Sequence, residues 1–552
     1  MNRHRIGQRA IAIEDVPGET AIRNIELHPG IIHAWGDIEE FAVNHIDAHS
    51  IANPALRSFG GLPGPRQLPF LGNLHQVDLK RLHCSIECFA ERYGDYFRLR
   101  LGRRELLVVA DPIAIGRMLR DRPEGFRRTR LLEAVFRELG IAGVFATNGE
   151  VWRAQRKMVV AAFDPRHIKA YFPSLTRVTE RLYRRWSAHA MRGTEFDLQA
   201  ELMRYTVDVV AGLAFGVDFN TIESESDTIQ THLNRIFPML QRRLLAPVPY
   251  WHWIRLPADR ALERSLSHVR QAITALISEA RRRLDRDPKL RDSPANLIEA
   301  MLVERDAPGT VLTDYDVSSN ILTMLLAGED TTANTLAWLV HLVSREPAVT
   351  RRLEEEADRV LQDARWAGRI DLVSAHSYAA ACAHETMRLK PVAPMIILEA
   401  LNPTVVGDVA VPTGTVIMAL MRRGAMDPVH FERPGSFDPT RWLDAGTAAD
   451  AGAGPGNAAG QAVPTGMGAA TTARGRISMP FGGGPRICPG RNLALLEISL
   501  VTSMLYRNFE VASIRTADGA SVQEFLDFTM APSKLLVTLT PRDAHRSKRP
   551  VS

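Results

Sequence analysis

Residues 481–490 read FGGGPRICPG: a single thiol, Cys488, between two prolines, behind three consecutive glycines and ahead of the apolar helical pattern RNLALLEISLVTSML. Most free cysteines are small buried hydrophobes. This one follows glycines that strip side chains from the backbone where it must approach something closely, and Gly490 repeats the device two residues past the sulfur. The start of a helix also favours a thiolate.

Tetrahedral zinc wants about four ligands at short spacing, yet the nearest other cysteine is Cys382 and no histidine lies between His430 and His545. A phosphate-cradling loop is the stronger rival. GK[ST] is missing, however, and no G-x-G-x-x-G follows a strand-like run. A metal that takes one protein ligand fits better, and haem iron is such a metal because the porphyrin supplies four nitrogens.

Moving outward, Ile321 to Leu342 is long enough to span a membrane but carries Glu329 and Asp330 at its middle. A central charge costs about 2.5–3.5 kcal/mol on an insertion scale, so the segment reads as a helix buried in protein. Within AGEDTT, residues 327–332, the bland reading is a helix weakened at Gly328 with a polar step beyond. The functional reading gives each residue a task. Gly328 admits a small ligand to the helix backbone, Thr331 bonds back to Ala327 or offers its proton outward, and Asp330 is an acid placed to relay protons.

Glu385 and Arg388 in ACAHETMRLKP are three apart on one helix face, and Trp152 and Arg156 in NGEVWRAQRKM are one turn apart. Such pairs are most often surface decoration or packing with a snorkelling base. Cys84 and Cys88, at i and i+4 of a helical stretch, read as core packing rather than metal ligands.

The rest of the chain sets the frame. Its 68 Lys and Arg against 63 Asp and Glu give +5, spread without basic blocks, so nucleic acid is not an expected partner. Four scattered cysteines exclude a disulfide framework and point to a reducing cytoplasm, and no transmembrane anchor or signal stretch is read. Helical periodicity dominates residues 76 to 400. β-type runs stand at 96–110, 409–420 and 534–541, and residues 444–475 are an Ala/Gly-rich surface insert.

Phe481, Gly484, Arg486, Cys488 and Gly490 match F-x-x-G-x-R-x-C-x-G, and by this loop the chain resembles the cytochrome P450 family, in its soluble bacterial-type, haem-thiolate monooxygenase form. The resemblance runs in family order from LPGP, after residue 60, to KLLVTLTP. It implies one mainly α domain with small β-sheets (α+β) over residues 60–545, preceded by an irregular extension, 1–59, and followed by a basic tail, 546–552.

It further implies haem b (iron protoporphyrin IX) with Cys488 as the metal ligand and Arg486 on a propionate. Phe481, Gly484, Gly490, Trp152, Arg156 and Gly328 would be cofactor contacts, with Arg127 and Arg128 as weaker candidates. Asp330 and Thr331 resemble the family's oxygen-activating acid–alcohol pair, and Glu385, Arg388 and Arg441 its structural triad. The implied reaction takes O₂ as cosubstrate and inserts one oxygen atom into a lipophilic small molecule. Electrons would come from NAD(P)H through a separate ferredoxin, flavodoxin or reductase, which Arg153, Lys157 and Arg491 would receive. A peroxygenase, an isomerase and a non-catalytic haem sensor are the alternatives. In one respect the chain departs from the family: between Pro394 and Val411 it has no Lys or Arg, and carries Glu399 instead.

Overall fold

The computed structural model describes residues 56–224, 228–233, 235–246, 248–443 and 473–542. Most of the 1–59 extension and of the 444–475 insert, and the whole 546–552 tail, lie outside the described residues.

Long helices carry the core. Pro165–Arg192 starts on Pro165 with Asp164 capping it, ends at the left-handed Gly193, and buries Leu175, Val178, Leu182 and Trp186, the three-to-four spacing of a one-faced helix. Asp314–Val343 opens with a capping box, in which the Thr313 side chain accepts from the Asp316 backbone N–H and Asp316 accepts from that of Thr313. This helix is buried on nearly every face, which explains its membrane-like hydropathy. Among the described residues no helix is long and apolar enough to cross a membrane.

The largest sheet has five strands in the order Tyr96–Leu101, Arg104–Val109, Val416–Leu420, Met395–Ala400, Phe126–Arg127. Only its Arg104–Val109/Val416–Leu420 pair is parallel. Phe509–Thr516, Leu535–Pro541 and Phe196–Asp197 form a second sheet, and Glu524–Asp527 with Thr529–Pro532 a separate hairpin.

The three β-type runs are strands, with 409–420 divided between two sheets. Met395–Ala400, Phe509–Thr516 and the 524–532 hairpin are additional. Arg57–Ser58 pairs with Val409–Ala410, locked by Arg57 Nε and Nη2 on Asp408 at 2.8 and 2.6 Å, so ordered pairing begins within the stretch read as extension.

Candidate functional site

The Cys488 loop is shaped by its own backbone. The Cys488 N–H donates to Phe481 O at 3.0 Å and the Ile487 N–H to Gly484 O at 3.1 Å, turning the chain just before the Arg491–Asn508 helix. Gly484 has φ +65°, and a Cβ there would fall 2.2 Å from Leu119 O. Its bareness therefore serves the end of the Pro112–Arg120 helix, whereas the sequence reading gave it to a cofactor. At Gly490 a Cβ would meet no protein atom nearer than 3.8 Å, so no neighbouring protein group demands glycine there. Burial pushes the Cys488 thiol up. The Gly490 and Arg491 N–H groups and the charges of Arg156 and Arg491 act the other way, toward thiolate.

Three arginines gather beside this loop. Arg486 lies over the Trp152 ring at 4.3 Å and donates to Thr147 O at 2.8 Å, and Arg128 lies over Phe145 at 4.3 Å. Arg122, only 1% exposed, donates to Leu119 O at 3.2 Å and to Gly483 O at 2.9 Å, fastening the loop to the preceding helix. Desolvation, and for Arg486 and Arg122 the repulsion of neighbouring arginines, lowers Arg486 and Arg122 to about 9; desolvation lowers Arg128 to about 10. Among the described residues no carboxylate pairs with any of the three, and the Nε atoms of Arg128 and Arg486 are buried without a partner.

Buried charges of one sign without counter-ions are costly. A flat group carrying two carboxylates beside the Cys488 sulfur is what this arrangement fits. Ala327 is exposed while Leu325 and Leu326 before it are 3% and 4% exposed, giving such a group an open helix face. Residues suited to haem are thus present around the Cys488 loop.

The weaker candidates separate cleanly. Arg127 is spent on Glu133 at 2.7 Å, while Arg128 keeps its charge for the site. Arg156 donates to Ile487 O at 2.7 Å, so both members of the Trp152/Arg156 pair brace the loop. Glu399 accepts from the Arg130 N–H at 3.1 Å at the start of the Arg130–Glu138 helix, a favourable place for an anion. The base missing from the Met395–Ala400 strand is matched by Arg122 and Arg128, which come from other elements. Arg122 escaped the sequence reading because nothing local marks it.

On the Asp314–Val343 helix, Thr331 Oγ1 donates to Ala327 O at 2.7 Å and Thr335 Oγ1 to Thr331 O at 2.8 Å, and Thr206 Oγ1 of the neighbouring helix donates to Glu329 O at 2.8 Å. Hydroxyls that back-bond in this way loosen a helix locally. Gly328 turns its bare Cα to Val210, whose Cγ2 would lie 2.4 Å from an added Cβ. Gly328 therefore lets the Leu198–Phe215 helix pack closely, a use that its sequence neighbourhood does not show. Gly328→Ala is accordingly expected to cost about 1–3 kcal/mol. Urea unfolding measures it, and Val210→Ala in the same chain should recover most of the loss.

Glu385, Arg388 and Arg441 come together as expected. Arg388 grips Glu385 through two bonds of 2.8 Å with both side chains 0% exposed, and Arg441 Nε approaches at 3.3 Å. Trp442 Nε1 at 2.9 Å and the Asp438 N–H at 3.0 Å complete the carboxylate's shell.

Phe528, at the tip of the 524–532 hairpin, stacks on Phe237 at 5.2 Å and meets Phe136 and Phe145 at 6.0 and 5.9 Å. Phe136 and Phe145 therefore meet the hairpin tip through their rings. Phe237, from the Ile236–Leu245 helix, carried no signal beyond apolar periodicity. Cys84 is half-buried and touches Glu524 and His83 at 3.3 Å, while Cys88 is exposed, which corrects the core reading for it. Lys390 and Arg422 hold the other oxygen of Glu524, so His83, Cys84 and Glu524 belong to an ion cluster at the hairpin's root.

Comparison with known proteins agrees with this geometry. The family model described as Cytochrome P450 matches residues 62–539. The chain is 26% identical to Protein LUTEIN DEFICIENT 5, chloroplastic, of Arabidopsis thaliana, over 78% of this chain and 70% of that one. It is 25% identical to Carotene epsilon-monooxygenase, chloroplastic, of the same plant (76% and 75% covered), and 27% identical to Cyclooctat-9-en-7-ol 5-monooxygenase of Streptomyces melanosporofaciens (80% and 87%). Every element that builds the site lies within the one match, and on that ground the chain belongs to the cytochrome P450 family and is a cytochrome P450 monooxygenase, a haem-iron enzyme of O₂.

Proposed function

We propose that the enzyme inserts one atom of O₂ into an apolar, hydrocarbon-like molecule, using electrons that originate in NAD(P)H and arrive through a separate redox protein. The observation that carries this reading is the set of largely desolvated arginines, Arg122, Arg128 and Arg486, that gather beside the Cys488 loop without a carboxylate partner among the described residues.

Cys488 is the residue we assign to the iron, with Arg486, Arg128 and Arg122 neutralising the propionates. When bound, the haem supplies reductive O₂ activation, which a sulfur ligand tilts toward O–O cleavage. Asp330 is the residue we assign as proton donor, its carboxyl pushed up from the ordinary carboxylate range by desolvation. Thr331 Oγ1 passes that proton onward once it leaves Ala327 O.

The aromatic cluster of Phe136, Phe145, Phe237 and Phe528 supports an apolar substrate. The names of two relatives, one acting on a carotene and one on a cyclooctat-9-enol, support the same class. Arg153 and Lys157 are engaged in pairs with Glu124 and Glu304 at 2.7 and 3.0 Å, which solvent and salt screen. An acidic partner can therefore compete for both. Four free cysteines support a reducing compartment such as the cytoplasm.

The test is ¹⁸O₂ labelling with NADPH, a ferredoxin and its reductase, on apolar terpenoids chosen by their spin-shift titrations. We expect one labelled oxygen per product molecule. Turnover supported by hydrogen peroxide alone would favour a peroxygenase, and spin shifts without any turnover would favour a sensor.

A further inference from the structure

The Asp330 carboxyl and the Thr331 hydroxyl, though adjacent in sequence, are engaged elsewhere. Thr331 donates to Ala327 O at 2.7 Å. Asp330 Oδ1 accepts from Asn334 Nδ2 at 2.9 Å, and its Oδ2 accepts from the hydroxyl of Thr529. Among the described residues no cation pairs with Asp330, and the negative field of Asp527 adds to its desolvation. The acid is thus held by a residue almost 200 positions away, itself 7% exposed.

Thr529 stands immediately after the tip of the hairpin formed by Glu524–Asp527 and Thr529–Pro532. The root of this hairpin is fixed: Glu524 accepts from His83 Nε2 at 2.8 Å and from Arg422 Nη1 at 2.9 Å, and also from Lys390. The tip is different. Phe528 has φ +75°, a region that a non-glycine residue occupies under strain. Its ring is held there by Phe237, Phe136 and Phe145, the surfaces an apolar substrate would compete for.

We propose that Thr529 is a positioning residue for the proton relay: its hydroxyl parks the Asp330 carboxyl on the hairpin, and displacement of Phe528 by substrate draws it off. Asp330 then becomes available to Thr331 only when the pocket is filled. The carboxyl gives its proton to the Thr331 side and regains one from solvent, and no electron moves in that exchange. This rests on Asp330 being the proton donor.

The experiment follows the infrared band of the protonated Asp330 carboxyl against pH in the substrate-free ferric holoenzyme, the band being identified by its loss in Asp330→Asn. A hydrogen bond to the ionised form is worth about tenfold in an equilibrium. Thr529→Val should therefore move the titration midpoint up by about one unit. Thr529→Ser should restore the wild-type midpoint. Phe528→Ala, which frees the tip without touching the hydroxyl, should shift it in the same direction as Thr529→Val.

A wild-type midpoint in Thr529→Val overturns the latch, and one in Phe528→Ala overturns its link to the pocket. Each variant is scored only with an intact thiolate-haem spectrum, and if the valine protein fails to load haem the phenylalanine variant decides. The proton-donor reading fails separately, through an unchanged solvent isotope effect on turnover in Asp330→Asn.

Discussion

Cys488→Ala is expected to abolish the long-wavelength Soret band of the reduced, carbon-monoxide-bound enzyme and to reduce oxygenation to background. No substitute lies nearby: the other three cysteines are Cys84, Cys88 and Cys382, none in this loop, and no histidine occurs between His430 and His545. The loop itself should survive. Its turn is made by backbone bonds from Cys488 to Phe481 and from Ile487 to Gly484, Arg122 and Arg156 brace it from outside, and its own Arg486 ties it to Thr147 O. Alanine preserves all of these, so the variant should fold and still attract a dicarboxylate macrocycle weakly through the arginines. A spectrum of wild type beside variant, with circular dichroism to verify folding, decides the matter. A retained thiolate band in the alanine variant would remove the assignment of Cys488.

Glu385→Gln should act on stability rather than on chemistry. Its carboxylate is fully buried and receives Arg388, Arg441, Trp442 and the Asp438 N–H. Glutamine is nearly the same size, but it is neutral and replaces one acceptor with a donor. Arg388, also 0% exposed, would keep carbonyl partners at Ala425 and Pro434 (2.8 and 2.7 Å) yet lose its counter-charge. Breaking a buried pair from one side costs about 3–5 kcal/mol, a large part of the roughly 5–15 kcal/mol that holds a typical domain together. The expected result is poor haem retention and a lowered urea midpoint. An unchanged midpoint would mean that the triad only decorates the fold.

The chain announces its chemistry where the chemistry is local. The Cys488 loop, the Trp152/Arg156 pair and the 327–332 step each fit within a few turns of backbone and each carry residue types unusual for their setting. Glu385 and Arg388, locally an ordinary surface pair, needed the family order just as Arg441 did. What could not be read was decided by distant partners. Arg122 matters through Gly483, Thr529 through Asp330, and Phe237 through Phe528, and none of these contacts leaves a mark in its own neighbourhood. The glycines show the converse. Gly328 and Gly484 were rightly singled out as positions of close approach, but the approaching groups are Val210 and Leu119, because a bare Cα reports crowding and not its source.

The cluster of Arg122, Arg128 and Arg486 has a thermodynamic meaning of its own. If the three guanidinium groups neutralise the propionates as proposed, the haem-free protein would carry their desolvation and mutual repulsion and the loaded protein would be relieved of it. Haem is then a folding ligand as much as a catalyst's metal centre. By mass action a ligand at a thousand times its Kd adds about 4 kcal/mol to the folded state, so supply of the macrocycle during synthesis, rather than the sequence alone, sets how much of this enzyme reaches its native form.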